Sequence, residues 1–260
     1  MLHRYYSKMS TRKILVESLR FYADRFNILF FPFLILSLAE STLWKFAFDL
    51  IPPFKIQPVF TEIFLVHLID YLAFVIPIIV IFVLISWVIN IIPNGIVIKY
   101  SSDFLEGRPS SLRRSLRTVA FNIFPLLLTE FIRGLLVILG LILLVIPGII
   151  MTVIFSLAAQ VIIIEGPGTF KSLQRSKKLV AKEPWQTSSV FIFIFFLIAV
   201  AGIGGEILSS YLWIRTELYV KLIITDMILS IAKPVQPIAL TYLYYSLKAD
   251  QKIMETHKMY

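Results

Sequence analysis

Between Tyr71 and Ile98 the chain runs for 28 residues without one charged side chain. A helix rises 1.5 Å per residue and the hydrocarbon core of a bilayer is about 30 Å thick, so roughly 20 apolar residues suffice to cross it. This segment exceeds that length and has room to tilt, or to bend at Pro77 and Pro93. Five further segments come close to the same requirement. The first runs from Phe26 to about Phe48, with Glu40 and Lys45 towards its far end. Two more, 119–146 and 149–164, form one apolar stretch broken at Ile146-Pro147-Gly148. The last two cover about 188–207 and 222–247. The expectation is an all-α, polytopic integral membrane protein with six transmembrane helices. Composition agrees: 58% of residues are hydrophobic and 16% charged, against roughly 45–50% and about 25% in soluble domains. No connecting stretch is long enough for an independent domain, so residues 1–260 read as one membrane domain. The basic amphipathic segment 1–25 precedes a run with Pro, Glu and Trp and no small-residue cleavage pattern, and is read as leading into a retained first helix.

Charge sets the expected orientation. Short cytoplasmic loops of membrane proteins collect Lys and Arg. With six helices, one side holds nineteen of these residues, in 1–25, in the basic segments 99–118 and 165–187, and after 247; the other side holds Lys55, Arg215 and Lys221. A single kinked helix through Pro147-Gly148 would put the two basic segments on opposite sides and destroy the asymmetry. A hairpin turning at Pro147 and Gly148 preserves it, with both termini cytoplasmic in a cell membrane.

Glu106-Gly107 with Ser111-Leu112-Arg113-Arg114-Ser115 resembles Glu165-Gly166 with Ser172-Leu173-Gln174-Arg175-Ser176, and Glu17-Ser18-Leu19-Arg20 is a fainter third copy. The unit reads as a basic amphipathic helix at the membrane interface followed by a transmembrane pair, used three times. Duplication and simple likeness among basic interfacial segments both account for it. The run Leu139 to Ile149 through Pro147-Gly148, then Glu165-Gly166, Ser172 to Val180, Pro184-Trp185, and the ending Pro234-Val235-Gln236-Pro237 into Leu243-Tyr244-Tyr245-Ser246-Leu247 form a dispersed pattern. It is similar to the six-helix membrane domain found beside some glycerophosphoryl diester phosphodiesterases, and to its bacterial and archaeal relatives. That resemblance implies six helices and an integral membrane location. The phosphodiesterase chemistry belongs to a separate soluble domain, whose acidic metal ligands have no place in this sequence.

Ionisable residues within apolar runs are costly and mark candidate sites. Glu130 and Arg133, three apart, share a helix face, as do Asp226 and Lys233, seven apart; with Glu206 and Gln236 they make a candidate polar cluster around Lys233 that binds an ion, a proton or a lipid headgroup. The plainer reading is a set of structural pairs, with Glu130 and Arg133 ending an interfacial helix near Pro125 and Lys233 snorkelling or pairing with Asp226. Pro93-Asn94-Gly95, Pro147-Gly148, and Pro234 with Pro237 interrupt apolar runs, as kinks, as a hairpin turn, or as the discontinuous helices of transporters. Ala201 and Gly205, four apart, let another helix approach closely, within the bundle or in a dimer. Trp44, Trp185, Tyr211, Trp213, Tyr219, Tyr242, Tyr244 and Tyr245 are expected in an aromatic belt.

Arg113, Arg114, Arg117, Lys171, Arg175, Lys177 and Lys178 are placed beside membrane helices, where anionic headgroups are the nearest partner, so the net charge of +9 points to lipid and away from nucleic acid. Without cysteine there is no disulfide, thiolate metal site or thiol nucleophile, and His3, His67 and His257 stand far apart. Neither metal nor cofactor is expected, and no catalytic residues are assigned. The leading expectation is a non-enzymatic scaffold or accessory protein that organises lipids, copies of itself or other membrane subunits. The alternative is a small transporter or channel built on the charged cluster, and an intramembrane lipid-modifying enzyme is the weakest of the three.

Overall fold

The computed structural model describes residues 8–53, 62–212 and 218–257. Among these residues the chain forms eleven helices and no strand: α1 (Thr11–Asp24), α2 (Phe26–Leu50), α3 (Glu62–Leu105), α4 (Leu112–Phe121), α5 (Ile123–Leu143), α6 (Val145–Ile154), α7 (Ala158–Glu165), α8 (Thr169–Val180), α9 (Pro184–Leu212), α10 (Leu218–Ala232) and α11 (Val235–His257). Six spans are long and apolar enough to cross a bilayer: α2, α3, α5, α6 with α7, α9, and α10 with α11. The protein is an all-α polytopic membrane protein. Arg4, Lys55, Trp213, Arg215 and Lys258 lie outside the described residues.

The short helices α1, α4 and α8 each precede two spans, so the chain is three successive units of one plan. Burial sharpens the register between them. Ser18, Ser115 and Ser176 are fully buried, and each lies eight residues before the first residue of the span that follows. Four residues after each serine, Tyr22, Val119 and Val180 are also buried. The sequence likeness had set Ser18-Leu19 beside Ser111-Leu112 and Ser172-Leu173; burial sets Ser18 beside Ser115 and Ser176, about one helical turn further on, because the inward face is what the units share.

Several boundaries differ from those read off hydropathy. The second span is one 44-residue helix, about 66 Å long, and it continues through Pro77 and Pro93 without interruption. Beside the second proline Asn94 Nδ2 donates to the Asn90 carbonyl at 2.8 Å and Asn90 Nδ2 to the Ser86 carbonyl at 2.8 Å, while the carbonyl that loses its helical donor to Pro93 is that of Ile89. The hairpin expected at Pro147-Gly148 turns three residues earlier, at Leu144, which has extended backbone (φ −166°, ψ 150°). Pro147 occupies the first turn of α6, where an amide N–H would have no partner in any case; Pro125 in α5 and Pro237 in α11 sit at the same third position. Gly140 and Gly148 face one another across the hairpin, so close that a Cβ on Gly140 would lie 2.9 Å from Gly148 Cα.

Two spans are broken: the fourth between Ile154 and Ala158, where hydropathy is continuous, and the sixth at Lys233-Pro234, where Pro234 and Pro237 interrupt the apolar run in the sequence. Ser176 repairs the first break. Its Oγ accepts from the Leu157 N–H at 3.2 Å and donates to the Ile154 carbonyl at 2.8 Å. Below the second break, α11 becomes the axis of the core, with Ile238, Ala239, Leu240, Leu243 and Leu247 buried. Tyr242, Tyr244 and Tyr245 are buried with them at 2% exposure or less, so they form no aromatic belt, whereas Trp185 and Tyr211 are each 84% exposed.

The ends of several spans meet at one end of the bundle. Leu105 and Glu165 end α3 and α7, followed by Gly107 (φ 70°) and Gly166 (φ 65°) in the left-handed conformation that glycine adopts most readily. Glu106 accepts from Tyr245 Oη at 2.7 Å and Glu165 from Tyr244 Oη at 2.5 Å. Lys8 pairs with Glu183 at 2.5 Å and Asp250 at 3.6 Å, and the Met9 N–H donates to Ser246 Oγ at 2.9 Å. Thus α1, the ends of α3 and α7, the start of α9 and the middle of α11, from Tyr244 to Asp250, lie together.

Candidate functional site

The polar residues expected to form one cluster separate into two. The first surrounds a cavity of about 70 Å³ between α3, α5, α7 and α11. Asn94 and Gly95 reach it from α3, Glu130 and Arg133 from α5, Ser156 from the break in the fourth span, Ala159 and Gln160 from the first turn of α7, and Gln236 and Pro237 from the first turn of α11. Glu130 and Arg133 form the expected ion pair. They sit inside α5, not at the end of the interfacial helix, which stops at Phe121. Beside the cavity, Gly95 lets α4 approach α3 closely, since a Cβ there would lie 2.8 Å from Val119 Cγ2.

Burial and bonding are not matched around this cavity. Glu130 is 8% exposed and Ser156 and Gln160 are 2% exposed. Neither Ser156 Oγ nor Gln160 Oε1 has a hydrogen-bond partner. Native interiors leave few such groups, since each costs about 1–3 kcal/mol. The breaks in the fourth and sixth spans also bring the N-terminal turns of α7 and α11 to the cavity; in α11, Pro237 has no N–H and those of Gln236 and Ile238 are taken by the Lys233 and Pro234 carbonyls at 3.3 and 3.4 Å.

The second cluster joins α2, α3 and the sixth span. Lys233 pairs with Glu40 at 3.6 Å, Asn90 Nδ2 donates to the same carboxylate at 3.1 Å, and Asp226 accepts from Ser41 Oγ at 2.5 Å. The expected Lys233–Asp226 pairing is replaced by these two contacts: Lys233 keeps the register of α10, its N–H on the Leu229 carbonyl at 2.9 Å, but seven residues are about 10.5 Å along a helix, whereas Glu40 of α2 lies 3.6 Å away. Lys233 does not line the cavity. Glu206 belongs to neither cluster: it is exposed on α9. Among the described residues no three His, Asp or Glu side chains converge as metal ligands.

Of the pair Ala201 and Gly205, Gly205 packs inside the molecule and Ala201 is half-buried. A Cβ on Gly205 would lie 3.1 Å from Thr225 Cα, so the close approach serves α9 against α10. The basic residues also divide. Arg113, Arg114 and Arg117 on α4 and Lys171, Lys177 and Lys178 on α8 are exposed, whereas Arg175 faces Glu165 at 3.4 Å, which Lys248 also reaches at 3.2 Å.

The chain matches no family model, no curated protein and no solved structure. What it does is argued from its own residues. Glu40, Asn90, Ser156 and Gln160 entered the sites unassigned by sequence, although each is a polar residue within an apolar run, which is the signal that singled out Glu130 and Lys233.

Proposed function

We propose that the protein is a non-enzymatic membrane scaffold that gathers anionic lipid headgroups, and through them other membrane subunits, at the end of the bundle where its interfacial helices lie. The distribution of Lys and Arg along the chain supports a cytoplasmic placement of that end. The outward surface of α4 carries the reading. Only Ser115 and Val119 of this helix are buried; Leu112, Leu116 and the adjoining Phe121 are 39%, 51% and 76% exposed, beside exposed Arg113, Arg114 and Arg117. An apolar strip flanked by cations is what a helix at the headgroup boundary requires. The exposed lysines of α8 add to the same charge. The resemblance to a six-helix membrane domain supports a membrane role without chemistry of its own. A transport path centred on Lys233 draws no support from the geometry, since that ammonium is paired with Glu40.

The test is lipid selectivity of the purified full chain, by native mass spectrometry from vesicles of equal phosphatidylglycerol and phosphatidylcholine. Retained lipid is expected to be enriched in phosphatidylglycerol. Each basic residue near a charged surface contributes about 1 kcal/mol, so replacing Arg113, Arg114 and Arg117 together with Gln is expected to remove most of the enrichment. Equal retention of the two lipids by the unaltered protein would refute the proposal.

A further inference from the structure

A second cavity, of about 370 Å³, lies between α1, α3 and α11, and no residue of α4 lines it. Lys13, Glu17, Arg20 and Asp24 border it from one face of α1, at the spacing that stacks side chains along a helix. Arg25 borders it from the junction of α1 with the first span. The Arg25 guanidinium lies over the rings of Phe104 and Phe21, 4.2 and 4.8 Å from their centroids. Such contacts hold the planar group in place and use none of its N–H donors. Glu17 and Arg20 take each other at 3.7 Å. Arg25, Lys13 and Asp24 form no ion pair with one another or with any other described residue. The cavity therefore keeps two cations and one carboxylate that do not neutralise one another. Arg25 is the residue before the first span, and Ile28, Phe31 and Ile35 follow it on α2 as a stripe exposed by 41%, 52% and 62%. The unpaired charges thus stand at headgroup level, above an apolar surface.

We propose that this cavity holds the headgroup of one phospholipid of the phosphoethanolamine type. The phosphate meets Lys13 and Arg25, whose planar fork matches two phosphate oxygens. The primary ammonium meets Asp24, and an acyl chain lies along Ile28, Phe31 and Ile35. Phosphocholine carries the same phosphate, but its quaternary nitrogen has no N–H to give Asp24. The volume falls within the roughly 300–1,000 Å³ of small-molecule pockets. With the proposed function this assignment shares only the placement of α1 at the membrane surface; it needs none of the arginines of α4.

The experiment is native mass spectrometry of the full chain taken from vesicles of equal phosphatidylethanolamine and phosphatidylcholine, with no anionic lipid present. Retained lipid is expected to favour phosphatidylethanolamine at least about fivefold, a preference that one charge-assisted hydrogen bond supplies. Asp24→Asn, at an exposed position, is expected to bring the two lipids to near equality, and Arg25→Gln to lose most of the retained lipid of either kind. The variant with Gln at 113, 114 and 117 is expected to keep the preference. Equal retention of the two lipids by the unaltered chain overturns the proposal, and so does full preference in Asp24→Asn or full retention by Arg25→Gln. Loss of the preference in the α4 variant would place the headgroup on α4 and overturn it as well. Soluble phosphoethanolamine is the last arm: if it displaces the lipid at equal concentration, the ligand is a water-soluble phosphate ester and the lipid assignment fails. Phosphatidylglycerol is absent from these vesicles, so failure here leaves the reading of α4 standing.

Discussion

Ser115 and Ser176 occupy equivalent positions in successive units and are equally buried, yet their hydroxyls do different work. Ser176 Oγ holds the Leu157 N–H and the Ile154 carbonyl, the two backbone groups stranded by the break in the fourth span. Neither has another acceptor or donor in the helix, because the Ser156 N–H takes the Val153 carbonyl at 3.2 Å and the Ala158 N–H takes that of Phe155 at 3.2 Å. Ser115 Oγ has no partner at all. Replacing Ser176 by Ala leaves two buried backbone groups unsatisfied, at about 1–3 kcal/mol each; water reaching the break would relieve part of this, so a loss of about 2–4 kcal/mol is expected. Ser115→Ala removes a polar atom that bonds to nothing, and stability is expected to hold within about 0.5 kcal/mol or to rise. The assay is unfolding of both variants in the same detergent, followed by helical circular dichroism, with hydrogen exchange at the Leu157 amide as the local readout. That amide is expected to lose protection in Ser176→Ala alone. Equal destabilisation by the two substitutions, or unchanged protection of Leu157, would refute the bridging role.

Gly148→Ala places a Cβ 2.5 Å from the Leu141 side chain and 2.8 Å from its backbone nitrogen; it is expected to lower stability by about 1–3 kcal/mol, while Gly204→Ala, which meets nothing within 4 Å, is expected to be neutral or to gain up to about 1 kcal/mol of helix propensity, both read as shifts in the thermal midpoint. Lys233→Met leaves the Glu40 carboxylate with Asn90 as its remaining partner; breaking a fully buried pair costs about 3–5 kcal/mol, and the side chains here are 24% and 16% exposed, so a smaller loss is expected, most of it recovered in the Lys233→Met/Glu40→Gln double variant. No recovery in the double variant would show that the two charges do not depend on one another. The Glu183 carboxylate, with Asp250 behind it, holds the Lys8 ammonium above the usual lysine value. A raised cation stabilises fully below the ordinary pKa of about 10.4 and is lost as pH rises through the raised value. Protease cleavage ahead of α1 is therefore expected to be flat across neutral pH and to increase only in strong alkali; release of this segment near neutrality would contradict it.

By itself the sequence determined the solvent and the element type. Charge-free runs such as Tyr71–Ile98 have one stable form in lipid, a helix that satisfies its own backbone, and that preference is local enough to be read residue by residue. The basic short segments before the spans were legible for the same reason, and so was the Glu130–Arg133 pair, because three-residue spacing on a helix is itself a distance. The tertiary structure decided what depends on partners remote in the chain. Hydropathy is blind to the break at 155–157, since every residue around it is apolar or small and the backbone groups freed there are taken up by Ser176, 19 and 22 residues away, whereas Pro234 marks the second break in the sequence. Lys233 found Glu40 and not Asp226 because packing of α2 brings that carboxylate within 3.6 Å, a partner remote in the chain that spacing along one helix does not reveal. Tyr244 and Tyr245 look like interfacial anchors in sequence, yet they are buried because α11 runs through the middle of the core, where Glu165 and Glu106 accept their hydroxyls. The cavity is the furthest from sequence: four helices contribute to it, and only their packing leaves the oxygen of Gln160 without a donor.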